Sequence, residues 1–327
     1  MNRREFLKIA SVAGLMFPAS RVVSAFPFRY STHGELLELV QKSSFAMGSV
    51  VSFDLYTSDR KLALESVRKV MSRIKELESL FSVYQPDSEI SRMNRSAGKK
   101  SVALSPETLS ILNKAKRASE QSAGYFDVTI EPLMELYGFR AEADEKIIPP
   151  TDRELAQLES AIGIRNLKIE GSSAGLLNEK SKVDLGGIGC GFAVDEAVKI
   201  LKSDGIDHFL INFSGDLFIS GRSPESETWD VTILNPADPE KSPVLQVTDC
   251  AVSTSGSYQN RRSSDSSQSW GHLIDPRSGK PSEPELSFSV ITKTATDADI
   301  FSTAGYLNRV QADGWKSSGL IRDFVVI

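Results

Sequence analysis

Apolar residues recur along this chain with two periods, and the changes of period mark its elements. From Val50 to Tyr56 apolar and polar residues alternate, which predicts a half-buried strand. Over residues 60–80 the spacing becomes helical, with Leu64, Val67, Val70, Met71, Ile74, Leu77 and Leu80 on one face. The polar stretch Phe81 to Glu89 ends that helix and turns, and a short helix carries Ile90 to Met93. Ser105 as N-cap and Pro106 at the first helical position open another helix, with Leu109, Leu112, Ala115 and Ala118 inward and Gly124 closing it.

Phe126 to Leu133 is an apolar run interrupted by Asp127, and residues 140–152, with Pro149-Pro150, read as a surface loop. Asp152 caps a helix ending near Ile162, and residues 165–180 form a hairpin around Gly171-Ser172. Buried or half-buried strands follow at 209–216, 229–234, 244–248, 251–258 and 286–292. Arg261 to Ser269, rich in Ser, Asp and Gln, reads as a mobile loop, and Gly271 to Gly279 as a strand running into a turn. Thr296 to Leu307 begins a helix with acids and hydroxyls in its first turns. Strands and helices mix without strict βαβ alternation. The expected class is therefore α+β with a mainly antiparallel sheet and flanking helices.

The stretch Lys182 to Leu201 predicts a short strand, a glycine-rich turn and a helix. Gly186, Gly187, Gly189 and Gly191 clear side chains where a ligand or a second backbone must come close. A turn running into a helix N-terminus suits a phosphate. A tight connection without a ligand is the alternative. The order is not a dinucleotide fingerprint, because Asp184 precedes the glycines instead of following them by about 20 residues.

Charge and length narrow the classes. The chain has 327 residues, a net charge of −5, 40% hydrophobic and 25% charged residues, ordinary for a globular protein. Basic residues form no block longer than pairs, so no nucleic-acid partner is expected. Arg3-Arg4-Glu5-Phe6-Leu7-Lys8 followed by a modestly apolar segment reads as a twin-arginine export signal. Small residues at Val23-Ser24-Ala25 place cleavage before Phe26. The expectation is a signal peptide over residues 1–25, the twin-arginine export machinery as a partner, a periplasmic location, and one functional domain over 26–327. Cys190 and Cys250 are expected to be unpaired and non-catalytic.

Several segments together resemble the ApbE-type flavin transferases, in the family's order. They are Met47-Gly48-Ser49, Phe81 to Asn94, Phe126 to Thr129, Asp184 to Gly191, Asn212 to Asp216, Ser253 to Gly256, Gly271 to Gly279, and Ala298 to Ala304. The resemblance implies a fold related to the T-fold. It implies FAD as substrate, Mg²⁺, release of AMP, and attachment of FMN to a Thr or Ser hydroxyl of an acceptor flavoprotein. The family's acceptors carry a motif of the type Asp/Ser-Gly-Ala-Thr/Ser.

The same resemblance assigns roles. Met47, Tyr84, Tyr125, Phe126, Asp127, Asp184, Cys190 and Ile274 match cofactor-contacting positions. Cys190 departs from the Lys or Glu often found there. Gly187, through its carbonyl, Asp299 and Thr303 match metal ligands, and Ser302 fills a place where some members carry a further acid. Asp299 and Thr303 lie i,i+4 on one helix face. Carboxylate, hydroxyl and carbonyl oxygens are the donors Mg²⁺ takes. Asp299 and His272 are the catalytic candidates. For each a structural role stands beside the functional one: a plugging methionine, a core tyrosine, a backbone-capping Asp127, a satisfied histidine, an ordinary acidic helix start. The competing activities are an Mg²⁺-dependent FAD pyrophosphatase and a non-enzymatic flavin-binding accessory protein of a respiratory complex.

Overall fold

A computed structural model describes residues 29–32, 35–141, 147–223, 226–256, 260–264, 269–282 and 287–327. The proposed export signal lies outside the described residues. The main sheet has strands β1 (Arg29–Thr32), β2 (Glu35–Ala46), β3 (Ser49–Thr57), β4 (His208–Phe213), β5 (Asp216–Ser220), β6 (Cys250–Gly256), β7 (Ser287–Thr292) and β8 (Asp323–Val326). Their order in space follows their order in the chain, and every neighbouring pair is antiparallel. Helices are α1 (Arg60–Phe81), α2 (Glu89–Arg95), α3 (Pro106–Gln121), α4 (Glu131–Leu136), α5 (Asp152–Leu158), α6 (Gly189–Ser203), α7 (Ala295–Leu307) and α8 (Ala312–Ser317).

The alternation read in β3 decides which face is covered. Val51, Phe53 and Leu55 are fully buried and join Val67, Val70, Ile74 and Leu77 of α1 and Val194, Ala197 and Leu201 of α6 in one core. The other face is covered in part by a hairpin of Trp229–Thr232 and Val244–Val247. There Tyr56, Ile219, Cys250 and Val252 pack with Trp229 and Val231. Both cysteines are free.

Three sequence expectations shift. The short strand expected at Lys182 is a single parallel bridge to Ile130. The cap of α5 is Thr151, not Asp152. Its hydroxyl receives the Glu154 amide at 3.3 Å, and the Glu154 carboxylate receives the Thr151 amide at 2.8 Å. A hydroxyl at the cap with a Glu three residues on satisfies two free amides reciprocally. The polar tract near 261–269 is not wholly a loop: Arg261–Ser263 pairs with Ser269–Gly271. Its polar side chains hid a strand because ladder bonds are made by backbone, whatever the side chain. The residues between, 265–268, lie outside the described residues.

Two hairpin turns set up one end of the sheet. Met47-Gly48 joins β2 to β3 and Ser214-Gly215 joins β4 to β5, each with positive φ at both residues (47° and 77°, 57° and 105°). That is the geometry a two-residue hairpin demands, and only Gly takes it freely. Because β3 pairs with β4, the turns lie side by side. The Ser214 amide donates to the Val50 carbonyl at 3.2 Å, and the Ser49 and Ser214 hydroxyls are hydrogen-bonded.

Candidate active site

Asp299 and the glycine turn meet where α7 crosses α6. A Cβ at Gly191 would lie 2.4 Å from the Ala295 carbonyl oxygen and 2.8 Å from Asp299 Cβ. Only glycine permits that approach. The Gly191 amide donates to Asp299 Oδ2 at 3.1 Å. The helix N-terminus does receive an anion, and it is a carboxylate of the protein itself. Asp195 of α6 completes the docking by accepting the amides of Ala295 and Thr296 at 2.7 and 3.0 Å. Asp297 is used locally: its carboxylate accepts from the Thr294 hydroxyl at 2.7 Å, while that hydroxyl caps the Asp297 amide.

Asp216, placed directly after the Ser214-Gly215 turn, brings a second acid. Asp216 Oδ1 accepts from the Ser253 hydroxyl at 2.6 Å. Ser253 lies 3.0 Å from the Ser302 hydroxyl, Ser302 lies 2.8 Å from that of Ser255, and Ser255 lies 3.3 Å from that of Thr303. Asp299 is only 6% exposed. Burial, then the neighbouring Asp216 charge, pushes its carboxyl well above the usual range. Burial likewise pushes Asp216 up to about 7. The same burial, with both acids nearby, pushes the Cys190 thiol up, away from thiolate chemistry.

Gly187 closes this cluster. A Cβ there would lie 3.3 Å from the Phe126 ring and 3.6 Å from Thr303 Oγ1. The residues fit a hard divalent cation: two buried acids, both raised by burial and Asp299 also by the Asp216 charge, with hydroxyl oxygens beside them. Among the described residues no three His, Cys, Asp or Glu side chains gather at one point. Hydroxyl and carbonyl oxygens would therefore have to complete any ligand set.

A second group lies around Asp184. Asp184 Oδ1 accepts the Gly186 amide at 2.9 Å, and Oδ2 accepts from Arg140 at 2.6 Å. Arg140 also reaches Glu131 and the exposed Tyr84. Burial pushes Glu131 up to about 7, against the lowering hydrogen bond from Arg140.

Met47 sits half-buried on the positive-φ turn and packs on the main core. Tyr125 is covered by Arg277, whose guanidinium carbon is 4.3 Å from the ring centre. Asp127 takes the backbone-capping role. Oδ1 accepts from the Thr129 amide and hydroxyl at 2.9 and 2.7 Å, and Oδ2 from the Ile164 amide and Ser119 hydroxyl at 2.7 and 3.3 Å. Four donors fill a carboxylate's acceptor capacity. Ile274 is buried with Tyr137, Phe139 and Trp270. The His272 ring packs edge-on against Phe139, and Nδ1 lies 3.2 Å from the Asn260 carbonyl. A carbonyl only accepts, so Nδ1 carries the proton and Nε2 keeps the lone pair. Burial lowers the pKa of His272, which favours the neutral ring. Among the described residues no hydrogen bond or ring contact joins His272 to Asp299 or Thr303. An open cleft of about 420 Å³ borders Asp127 and Arg277 but none of the residues around Asp299.

Sequence reasoning did not assign roles to Asp216, Ser253, Ser255, Glu131 or Arg140. For Asp216 a signal existed, an acid directly after a Ser-Gly turn. For Arg140 none did.

The ApbE family model matches residues 47–315. FAD:protein FMN transferase of Vibrio cholerae serotype O1 is 32% identical over 233 residues, 70% of this chain and 69% of the relative. The protein of the same name from Escherichia coli is 28% identical over 306 residues, 91% of this chain and 85% of the relative. Among solved structures, flavin transferase ApbE from Vibrio cholerae superposes with a TM-score of 0.75 at 28% identity, covering 89% of this chain and 93% of that one. The apo form of Pseudomonas stutzeri flavinyl transferase ApbE gives 0.77 at 25% identity, covering 92% and 95%.

Proposed function

The chain belongs to the ApbE family, and from that premise we propose that it is a flavin transferase that takes FAD and moves its FMN half onto another protein. AMP is the leaving group. The observation that carries the reading is the meeting of Asp299, Thr303 and the Gly187 turn at one buried acidic point. Met47, Tyr84, Tyr125, Phe126 and Asp184 are proposed to face the flavin nucleotide, with Cys190 and Ile274 beside it. Asp299, Thr303 and the Gly187 carbonyl are proposed to hold Mg²⁺, with Ser302 supporting them.

When bound, Mg²⁺ would neutralise pyrophosphate oxygens and polarise the phosphorus to be attacked. The chain's own residues do the rest. Buried Asp299 sits in a water-poor setting, where a bound cation would draw its carboxyl back to the charged form. The serine network from Asp216 to Thr303 fixes the rotamers around it. His272, neutral with its lone pair on Nε2, is proposed to take the proton of the acceptor hydroxyl. Positioning and electrostatics then supply most of the rate.

The acceptor is proposed to be an exported or outward-facing flavoprotein with a Thr or Ser hydroxyl in a short flavinylation motif. Arg3-Arg4 and the segment after them support export through the twin-arginine route, a periplasmic site of action, and a functional domain beginning near residue 26. The test of function is incubation with FAD, Mg²⁺ and such an acceptor, followed by mass measurement of the acceptor. AMP release without labelling would favour a pyrophosphatase, and neither product would favour a flavin-binding accessory protein.

A further inference from the structure

Arg140 is a junction of three segments far apart in the sequence. Its Nη2 donates to Glu131 Oε2 at 2.5 Å and to Asp184 Oδ2 at 2.6 Å, and its Nε donates to Glu131 Oε1 at 2.9 Å. Nη1 donates to the Tyr84 hydroxyl at 3.1 Å, and the guanidinium carbon lies 5.3 Å from the centre of the Tyr84 ring. Tyr84 is 71% exposed, so little else restrains its ring. It follows α1, whereas Asp184 opens the glycine turn and Glu131 starts α4. Among the described residues no backbone ladder joins Tyr84 to Asp184, and the guanidinium does.

We propose that Arg140 is a positioning residue for FAD: it holds the Tyr84 ring and the Asp184 carboxylate in one relative geometry before the nucleotide arrives. This rests on the proposed function, which puts both residues against FAD. An exposed tyrosine and an aspartate whose side chain is 18% exposed would otherwise lose rotamer freedom on binding, and a clamp made in advance removes that loss. The planar fork of Arg suits the task, because it meets three acceptors at fixed angles. A lysine ammonium offers a point charge without that geometry. The groups facing the guanidinium are Glu131, Asp184 and Tyr84, with Glu135 acting at longer range on Glu131.

The competing role is structural: Arg140 neutralises Glu131, whose side chain is only 4% exposed. Removing one member of a buried pair leaves an uncompensated charge. Two variants separate the roles. Arg140→Met removes the clamp. Arg140→Met with Glu131→Gln removes the clamp and the stranded charge together, so folding is protected.

FAD affinity is measured by flavin fluorescence in EDTA, alongside KM and kcat for FAD with Mg²⁺. Both variants should bind FAD roughly tenfold more weakly, the scale of ordering two side chains. KM should rise with kcat at saturating FAD unchanged. Arg140→Lys should recover only part of the affinity. Parental affinity in Arg140→Met, or its return in the double variant, overturns the proposal. So does a fall in kcat with affinity intact. A parental protein that does not bind FAD overturns both this proposal and the function it rests on. Parental binding with unaffected variants overturns the clamp alone.

Discussion

The amide of Gly191 donates to the carboxylate of Asp299 across 3.1 Å, joining the glycine turn to α7. The bond exists because Gly191 has no side chain, since a Cβ would lie 2.4 Å from the Ala295 carbonyl oxygen. Gly191→Ala should therefore push α6 and α7 apart. The expected loss is about 1–3 kcal/mol of stability, the scale of overpacking, with a larger loss of activity. Urea unfolding checks the first part. Unchanged stability would mean that the two helices yield easily there.

Asp299→Ala removes the one charged group among the proposed metal ligands. FMN transfer should fall on the order of a hundredfold or more, the scale of a lost electrostatic stabiliser. FAD should still bind through Tyr84 and Asp184. Thr303→Ala should be milder, because water replaces a neutral oxygen. A Mg²⁺ titration of both variants, with Mn²⁺ binding followed separately by electron paramagnetic resonance, distinguishes metal loss from misfolding. Parental Mg²⁺ dependence in Asp299→Ala would move the metal elsewhere.

Much of this site was legible before the fold was known, and the reasons differ by residue. Helical spacing exposed α1 and α3, and the i,i+4 pair Asp299 and Thr303 shares a helix face whatever the tertiary structure. The glycine turn signalled close approach, and it delivers that at Gly187 and Gly191. Asp216 with Ser253, and Arg140 with Tyr84, could not be found this way. Their pairings depend on strand register and on loops folding back, 37 and 56 residues apart in sequence. Asp127 is a different case. An acid inside an apolar run signals a needed partner, but the partners are the chain's own amides and hydroxyls.

Glu131 gives a pH dependence with a definite sign. Its carboxyl goes from 4.5 in the ordinary state to about 7 when folded, chiefly through burial. Below the lower value both states are protonated and its contribution to stability is fully present. As pH rises through about 7 the folded protein must hold a buried charge, and that contribution is lost. Glu131→Gln should therefore melt progressively higher relative to the parent between pH 5 and pH 8, as followed by calorimetry. A constant difference over that window would show that Arg140 keeps Glu131 ionised throughout.

Replacing Arg3 and Arg4 with Lys should leave unprocessed precursor in the cytoplasm. Fractionation with an antibody to the chain measures this. Undiminished processed protein outside the cytoplasm would rule out the twin-arginine route.

Transfer of FMN from FAD to a protein hydroxyl is read out by intact-mass spectrometry of an acceptor flavoprotein after incubation with the parental chain, FAD and Mg²⁺. The acceptor should gain the mass of one FMN less water, with an equal amount of AMP released, and should gain nothing when its motif Thr or Ser is replaced by Ala. An acceptor of unchanged mass, with FAD bound but intact, would mean that the chain holds FAD without transferring its FMN half.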